Sequence, residues 1–238
     1  MQNSRKKIGI IGAMQVEVKT LKALLVDAKE ILVGGLTFTE GLLDGKNIVI
    51  VQSGIGKVNA ALCAQRLILQ FGVTNVINTG IAGAAAKGLK ILDFVLSTDA
   101  LYHDFDVRAF GYEICVIPQM DCWDFKADAE MINAAEKAFN QLELTKEHSL
   151  VKGRIASGDQ FISSKEQKNQ IIKNCAPACV EMEGTAIAHA CYLNKIPFLI
   201  IRCMSDMADE SSEKTYDFNE EKAAELSANL VRKMIQFF

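Results

Sequence analysis

The chain is organised around one stretch, Cys179-Val180-Glu181-Met182-Glu183-Gly184-Thr185, where an apolar run ends and an Ala-rich helical pattern begins. Residues two apart in an extended strand point to the same side, so Glu181 and Glu183 are predicted to face together and Met182 to face away. The positive end of a helix dipole favours acids placed just before it. The simplest interpretation of Glu183 is therefore a helix-capping acid, and a catalytic one depends on what the rest of the chain brings beside it.

Composition restricts the class of protein. Half of the 238 residues are apolar and three are proline, which favours a globular fold with a sizeable core. The formal net charge is −3, and no basic cluster stands out beyond Arg5-Lys6-Lys7, so nucleic-acid binding is not supported. The N-terminus is polar and no apolar run reaches the length of a membrane span. We expect a cytoplasmic protein with no nucleic-acid or membrane partner.

The seven cysteines are dispersed, and most lie in apolar runs, as reduced core thiols do. Cys175 and Cys179 are the only close pair, and they lack a second ligand pair or a nearby His. We therefore expect no metal site and no cofactor.

Apolar runs bounded by small or turn residues alternate with amphipathic patterns along the whole chain. Strands are predicted at 7–14, 31–33, 36–43, 46–52, 75–78, 93–101, 151–157, just before Glu181 and at 197–204, and helices at 15–25, 58–71, 128–142, up to 194 and at 220–235. This alternation predicts an α/β fold, a three-layer α/β/α sandwich around a mostly parallel or mixed, twisted central sheet. No linker or repeat interrupts it, which predicts a single domain over 1–238.

Candidate functional groups follow the predicted strand ends: Glu17, the turn at 79–83, Phe161, Glu183 and Asp206. Open α/β sheets gather such ends at one edge. Three acids without a set of His ligands favour acid–base chemistry over metal binding. The chain has neither a Gly-x-Ser-x-Gly elbow nor a Cys–His arrangement, which argues against an acyl-enzyme.

Two glycine-rich turns allow other interpretations. The turn at 53–57 leads from a strand into a helix and could bind an anion through free backbone N–H groups, although it lacks the P-loop spacing. The strand and helix at the N-terminus resemble the start of a dinucleotide-binding fold but lack G-x-G-x-x-G. This absence weakens the hypothesis of an NAD-dependent oxidoreductase.

Several motifs carry a family resemblance when they are taken in order: 8–14 (IGIIGAM), 53–57 (SGIGK), 78–80 (NTG), 102–104 (YHD), 109–112 (AFGY), 156–159 (ASGD), 180–183 (VEME) and 205–206 (SD). In this order the chain resembles the nucleoside phosphorylase/nucleosidase family, and within it the bacterial 5′-methylthioadenosine/S-adenosylhomocysteine nucleosidases. The likeness runs from residue 7 to the final helix. It implies a nucleoside phosphorylase-like fold and hydrolysis of the N-glycosidic bond of adenine thionucleosides, giving adenine and a thioribose, as in methionine salvage.

The resemblance also implies a division of labour among three acids. Asp206 corresponds to the general acid that protonates adenine N7, Glu17 to the base that activates water, and Glu183 to the acid that binds the ribose hydroxyls. A buried carboxyl whose pKa is raised by desolvation can hold a proton near neutral pH. This is the two-carboxylate logic of glycoside cleavage applied to an N-glycoside. Glu181 is left as a structural acid at the strand end.

Further substrate contacts are implied by the same resemblance. Phe161 would stack on adenine while the Ile162 backbone reads its edge, and Met182 would pack under the ribose. Arg202 would lie near the attacking water, and Ser205 would support Asp206. Taken singly, each of these residues also suits an ordinary core or ion-pair role.

The thioalkyl end of the substrate is assigned in the same way. By this resemblance, Gly83 would contact the substrate and Ile55 would line the thioalkyl pocket. Phe110, Tyr112 and Pro118 would close that pocket from a neighbouring subunit, so the resemblance implies a homodimer.

The sequence departs from the family pattern at Gln15-Val16, at Ile81 and at residues 119–125. Two alternatives remain on the same fold: a phosphorolytic purine nucleoside phosphorylase and a non-catalytic nucleoside-binding module. A phosphorylase needs a phosphate site, and the turns at 12–17, 53–57 and 79–83 contain no Arg, which favours water as the nucleophile. Retention of all three acids argues against a non-catalytic module.

Overall fold

A computed structural model describes residues 6–238, apart from the side chain of residue 213; Arg5 of the basic run lies outside these residues. The described strands are β1 (Lys7–Gly12), β2 (Val26–Val33), β3 (Leu36–Leu43), β4 (Lys46–Gln52), β5 (Asn75–Ala84), β6 (Phe94–Tyr102), β7 (Phe125–Lys126), β8 (Leu150–Ser157), β9 (Cys179–Glu181) and β10 (Phe198–Asp206). The described α-helices are α1 (Gln15–Ala23), α2 (Lys57–Phe71), α3 (Ala129–Gln141), α4 (Lys165–Cys175), α5 (Gly184–Asn194) and α6 (Ser212–Ile235).

The strands form one mixed sheet in the order β10-β6-β8-β9-β5-β1-β4-β3-β2, with β7 beside β6. β5 pairs in parallel with β1 and with β10, and antiparallel with β9. Because β10 also pairs with β6, the strands β5, β10, β6, β8 and β9 close into a ring. The predicted α/β class with a mixed central sheet is confirmed, and the ring brings the ends of β5, β9 and β10 together.

Helices cover both faces of the sheet, which confirms the three layers. On one face α2 packs against α5, and Leu67 and Ile187 belong to the same buried cluster. On the other face α6 packs against α1 and α3, where Leu21, Phe139 and Leu230 share a second cluster. Burying apolar surface at about 25 cal/mol per Å² is the main force that holds these layers on the sheet.

One predicted turn is a strand in the structure. Residues 79–83 form the second half of β5 (Asn75–Ala84), in which every residue is buried. β10 pairs with this half from Thr79 to Gly83, and β9 pairs with Gly83 and Ala84. Small residues have little strand propensity of their own, so tertiary pairing on both sides decides their conformation.

Other differences concern helix and strand limits. α4 was not predicted because its sequence is largely polar and buries only Ile171 and Cys175; Ser164 caps it by accepting a hydrogen bond from the Gln167 amide at 3.2 Å. α6 begins at Ser212 rather than at 220, and β2 begins at Val26 rather than at 31. β2 lies at the edge of the sheet and is mostly exposed, so it lacks the apolar alternation that marks a half-buried strand.

None of the helices in residues 6–238 is long and apolar enough to cross a membrane. The seven cysteines are all free thiols, and all but Cys122 are buried. This agrees with the predicted reduced core thiols.

Candidate active site

A cavity of about 610 Å³ opens where β1, β5, β9 and β10 end. Eight of the thirteen site residues predicted from the sequence border it: Glu17, Ile55, Gly83, Phe161, Met182, Glu183, Ser205 and Asp206. Its volume falls within the range of small-molecule sites, which is about 300–1,000 Å³. The structure therefore brings the three acids of interest to one cavity.

Glu17 lies in the first turn of α1, directly after β1, and its carboxylate is held by three backbone amides. Oε2 accepts hydrogen bonds from Ala13 N at 2.6 Å and Met14 N at 3.0 Å, and Oε1 accepts one from Ile81 N at 3.1 Å. Burial raises the pKa of Glu17, and the positive charge of Arg202 together with these amides works in the opposite direction. Glu17 is thus a fixed carboxylate whose pKa lies above its usual value.

Glu183 is the residue immediately before α5. Its Oε1 accepts a 2.8 Å hydrogen bond from Gly56 N, in the glycine-rich turn that precedes α2. Burial raises the pKa of Glu183 to about 7, the negative charge of Glu181 adds to that rise, and Arg202 opposes it. Glu183 is therefore poised to change its protonation state near neutral pH.

Glu181 points its carboxylate towards the protein rather than into open cavity. Oε2 accepts hydrogen bonds from the amides of Glu183 at 3.0 Å and Gly184 at 2.7 Å and from Arg202 Nη2, while Oε1 accepts one from Ser157 Oγ. Glu181, Met182 and Glu183 all border the cavity. The strand alternation behind the prediction for Met182 does not extend to Glu183, because β9 ends at Glu181.

Arg202 is fully buried in β10, behind the acids rather than on the cavity wall. Its Nη2 donates to Asn78 Oδ1 at 2.7 Å and to Glu181, and lies 4.0 Å from Glu183 Oε2. Gly80 separates Arg202 from Glu17: a Cβ built there would lie 2.2 Å from Arg202 Nη1 and 2.3 Å from Glu17 Oε1. Only glycine at position 80 leaves room for the Arg202 guanidinium and the Glu17 carboxylate on this side of the strand.

Asp206 ends β10 and is buried. Its Oδ2 accepts a hydrogen bond from Ser205 Oγ at 2.9 Å, and Oδ1 accepts one from Ala208 N at 2.8 Å. A Cβ built on Gly83 would meet Asp206 Oδ1 at 2.9 Å, so the strand beside the carboxyl has to be free of a side chain. Ser205 and the Ala208 amide fix the orientation of this acid.

Aromatic and aliphatic groups flank the acids. Phe161 is 45% exposed at the cavity and makes an edge-to-face contact with Tyr216, with ring centroids 5.7 Å apart. A recess of about 40 Å³ adjoins the cavity between Phe161, Ile162 and Asp206. Phe161 and Asp206 therefore border the same recess.

Five predicted site residues do not border the cavity of this chain: Arg202 lies behind the acids, Ile162 borders only the adjoining recess, and the other three lie in a loop. Phe110, Tyr112 and Pro118 lie between β6 and β7, and Phe110 is 82% exposed. Two lining residues, Tyr216 and Asp217, lie outside every motif that the sequence analysis names. Both belong to the first turns of α6, which was predicted to begin only at 220, so an earlier helix start would have pointed to them.

A second groove, of about 670 Å³, lies against α4 and the segment 85–88, with Lys87, Lys165 and Lys168 among its lining residues. It is slightly larger, but it holds no buried acid. The acid-lined cavity is the better candidate for catalysis because buried titratable groups with displaced pKa values concentrate at functional sites. Within residues 6–238, no group of three or more His, Cys, Asp or Glu residues is arranged to hold a metal ion.

The fold and this cavity define a member of the phosphorylase superfamily, whose sequence profile matches residues 7–236. Two curated relatives are 5′-methylthioadenosine/S-adenosylhomocysteine nucleosidases. The one from Colwellia psychrerythraea is 45% identical over 96% of this chain and 95% of its own, and the one from Staphylococcus haemolyticus is 41% identical over 96% and 99%. The chain belongs to the family of 5′-methylthioadenosine/S-adenosylhomocysteine nucleosidases, as its motifs predicted.

Solved structures agree with this assignment. The Colwellia psychrerythraea nucleosidase in complex with adenine superposes with a TM-score of 0.93 at 44% identity, covering 98% of this chain and 96% of that one. The Neisseria meningitidis nucleosidase in complex with methylthio-immucillin-A gives 0.93 at 39% identity, covering 98% and 100%. A futalosine hydrolase of Helicobacter pylori is also similar, with a TM-score of 0.92 at 35% identity over 98% of this chain and 99% of that one.

Proposed function

We propose that this protein hydrolyses the N-glycosidic bond of 5′-methylthioadenosine and S-adenosylhomocysteine, releasing adenine and the corresponding thioribose. The curated relatives carry that activity in their names, and one superposed relative holds adenine. We infer that residues 1–238 act as one catalytic domain. A cytoplasmic location is supported by the seven free thiols, because a reducing compartment keeps cysteines in this state.

The observation that favours hydrolysis over phosphorolysis is the charge of the cavity wall. Among the described lining residues, five are carboxylic acids and none is Arg or Lys: Glu17, Glu181, Glu183, Asp206 and Asp217. A phosphate nucleophile would meet negative charge without a cationic side chain on the wall to compensate it. Water carries no charge and needs only a base, so this wall suits water.

The leaving group is handled at Asp206. As the C1′–N9 bond breaks, its electron pair moves onto the adenine ring, and a proton on Asp206 would pass to N7. Asp206 suits this role because Ser205 and the Ala208 amide orient its carboxyl beside the recess that Phe161 borders. A positioned general acid typically contributes a factor of about 10²–10⁴ in rate.

Glu17 and Glu183 act on the ribosyl side. Glu17 would take a proton from water as the water oxygen attacks C1′, and Glu183 would bind the ribose hydroxyls. Ionised carboxylates also stabilise the positive charge that develops on the ribosyl ring. Arg202 would act through these acids, since it neighbours both without bordering the cavity.

Base and sugar would be held by the remaining lining groups. Phe161 would stack on adenine and the Ile162 backbone would read its edge, while Met182 and Gly83 would contact the nucleoside. Ile55 is 53% exposed at the cavity and would contact the thioalkyl group.

We propose further that the protein works as a homodimer. Val58, Leu62 and Leu69 form an exposed apolar stripe at helical spacing on α2, next to the exposed Ile55. Exposed apolar surface of this kind marks interaction sites. In the proposed dimer, Phe110, Tyr112 and Pro118 of the neighbouring copy would close the cavity near Ile55, as the family resemblance implies.

The test is adenine release from 5′-methylthioadenosine in phosphate-free buffer made with ¹⁸O-water. We expect adenine and a thioribose that carries ¹⁸O at C1′, with no acceleration when phosphate is added. Release that requires phosphate and yields a sugar phosphate would establish a phosphorylase instead. S-adenosylhomocysteine, deoxyadenosine and an aminofutalosine-type nucleoside in the same assay define the substrate range.

A further inference from the structure

We propose that Glu181 is a positioning residue for the reaction: it ties the start of α5 to Arg202 and thereby sets the place of Glu183 relative to Glu17. The inference rests on the proposed function, in which Glu183 and Glu17 act on the ribosyl side. Nothing in the sequence alone distinguishes Glu181 from a structural acid at a strand end.

The first observation is the number of donors that converge on one carboxylate. Three reach Oε2: the amides of Glu183 and Gly184, at 3.0 and 2.7 Å, and Arg202 Nη2. Ser157 Oγ donates to Oε1. An ionised carboxylate is the side chain that offers two acceptor oxygens and no donor, so it fits this set of donors.

The second observation is that the carboxylate is anchored on the side away from the cavity. Ser157 Oγ accepts a 2.7 Å hydrogen bond from Thr185 N, and Thr185 Oγ1 donates to Leu101 O at 2.8 Å. Ser157 ends β8, Leu101 lies in β6, and all three residues are buried. Glu181 is therefore fixed by the ring of strands, and it transmits that position to α5.

The third observation concerns charge. Glu183 is faced by the negative charges of Glu181 and Glu17, from β9 and α1, by the positive charge of Arg202 from β10, and by the Gly56 amide. Arg202 lies 4.0 Å from Glu183 and shares Gly80 with Glu17. Removing the charge of Glu181 would take away a like charge near Glu183, and it would also leave Arg202 with fewer negative neighbours. Each of these two effects lowers the pKa of Glu183.

A purely structural role predicts a different result from a positioning role. If Glu181 served only to cap α5, its loss would lower stability and leave the pH dependence of the remaining activity unchanged. If it positions Arg202 and Glu183, its loss changes both the rate and the pH at which Glu183 ionises.

The experiment compares Glu181→Gln, Glu181→Asp and the exposed control Glu147→Gln by the pH profile of kcat/KM for adenine release, with thermal unfolding in parallel. For Glu181→Gln we expect kcat/KM to fall on the order of 10²-fold, as misplaced catalytic groups do. The acid limb should move to lower pH by roughly one unit, the size of shift that a nearby charge produces. Glu181→Asp keeps the charge but not the reach, so its kcat/KM should fall while its acid limb stays in place. Glu147→Gln should match the wild type.

Wild-type kcat/KM and an unmoved acid limb in Glu181→Gln would overturn the inference. Should Glu181→Gln fail to fold, Glu181→Asp decides: wild-type kcat/KM in that folded variant overturns the inference, and a reduced kcat/KM with wild-type thermal unfolding supports it, because a purely structural loss would lower stability. Failure of the proposed function is distinguishable, because the wild-type enzyme would then release no adenine at any pH.

Discussion

The amide of Ile81 donates a 3.1 Å hydrogen bond to Oε1 of Glu17, and so joins the middle of β5 to the first turn of α1. Glu17 then needs no side-chain partner to hold its orientation, because its other oxygen accepts from the amides of Ala13 and Met14. Backbone donors fixed by the sheet cost no reorganisation during a reaction, which is the basis of electrostatic preorganisation. The side chain of Ile81, which departs from the family pattern, takes no part in this contact.

Gly80→Ala should inactivate the enzyme. The new methyl group would lie within 2.2 Å of Arg202 Nη1 and 2.3 Å of Glu17 Oε1, so one of the two must move. We expect kcat/KM to fall on the order of 10²-fold or more and the free energy of unfolding to fall by about 1–3 kcal/mol. Steady-state kinetics and chemical denaturation measure the two effects.

The matched control is Gly153→Ala in β8, where a Cβ would lie 2.7 Å from Ala178 Cβ, outside the cavity lining. It should lower stability to a similar extent and leave kcat/KM near the wild-type value. Equal losses of activity in both variants would show that crowding in the sheet, rather than contact with Glu17 and Arg202, explains the Gly80 result.

Asp206→Asn should reduce kcat by about 10²–10⁴-fold, because an amide cannot deliver a proton to the leaving adenine. Ser205→Ala removes one hydrogen bond, worth about 1 kcal/mol, and should cost only about fivefold. Single-turnover measurements of adenine release separate this chemical step from product release. Asp206→Asn with wild-type kcat would remove Asp206 from the mechanism.

The raised pKa of Glu183 predicts how stability changes with pH. Its pKa is about 7 in the folded protein and 4.5 in the reference state, so between these values the folded state binds more protons than the unfolded state. Stability contributed by this group is therefore present below pH 4.5 and is lost as the pH rises towards 7, on the order of 3 kcal/mol in all. Glu183→Gln should lack this loss, so the Tm of the variant relative to that of the wild type should increase between pH 5 and pH 8. A constant difference in Tm across that range would contradict the raised pKa.

Most strands and helices could be predicted from the sequence, because buried strands and amphipathic helices have characteristic hydrophobic periodicities that can be recognised without knowing the tertiary contacts. Glu17, Glu183 and Asp206 could be singled out because each follows a strand. The closure of the strands into a ring could not be predicted, since the pairing of β10 with β5 depends on long-range register. Nor could the partners of Glu181, because Ser157 and Arg202 are distant in sequence and reach it only in the folded chain.

The proposed homodimer can be tested at the exposed apolar stripe of α2. Replacing Leu62, which is 51% exposed in the apolar stripe of α2, by Glu should weaken a dimer, because a charge would be buried at its interface. Sedimentation should show a wild-type dimer and a Leu62→Glu monomer, with KM for 5′-methylthioadenosine raised in the monomer. The exposed Lys29→Glu in β2 is the control and should remain dimeric. A monomeric wild type with full activity would exclude any contribution of Phe110 and Tyr112 to a neighbouring site.

Tyr216 offers the sharpest test of the cavity wall, because its ring and its hydroxyl have separate partners. The ring meets Phe161 edge to face, whereas the hydroxyl donates to Glu220 Oε1 at 3.0 Å and lies 3.4 Å from Met14 Sδ. An aromatic pair of this kind contributes about 0.5–1.5 kcal/mol beyond its buried area. Tyr216→Phe keeps the ring and should bind 5′-methylthioadenosine as the wild type does, while Tyr216→Ala removes the support for Phe161 and should raise KM about tenfold with a smaller change in kcat. If Tyr216→Phe raised KM as much as Tyr216→Ala, the hydroxyl and its bond to Glu220 would be the important feature, and α6 would contribute to the site through polarity rather than through packing.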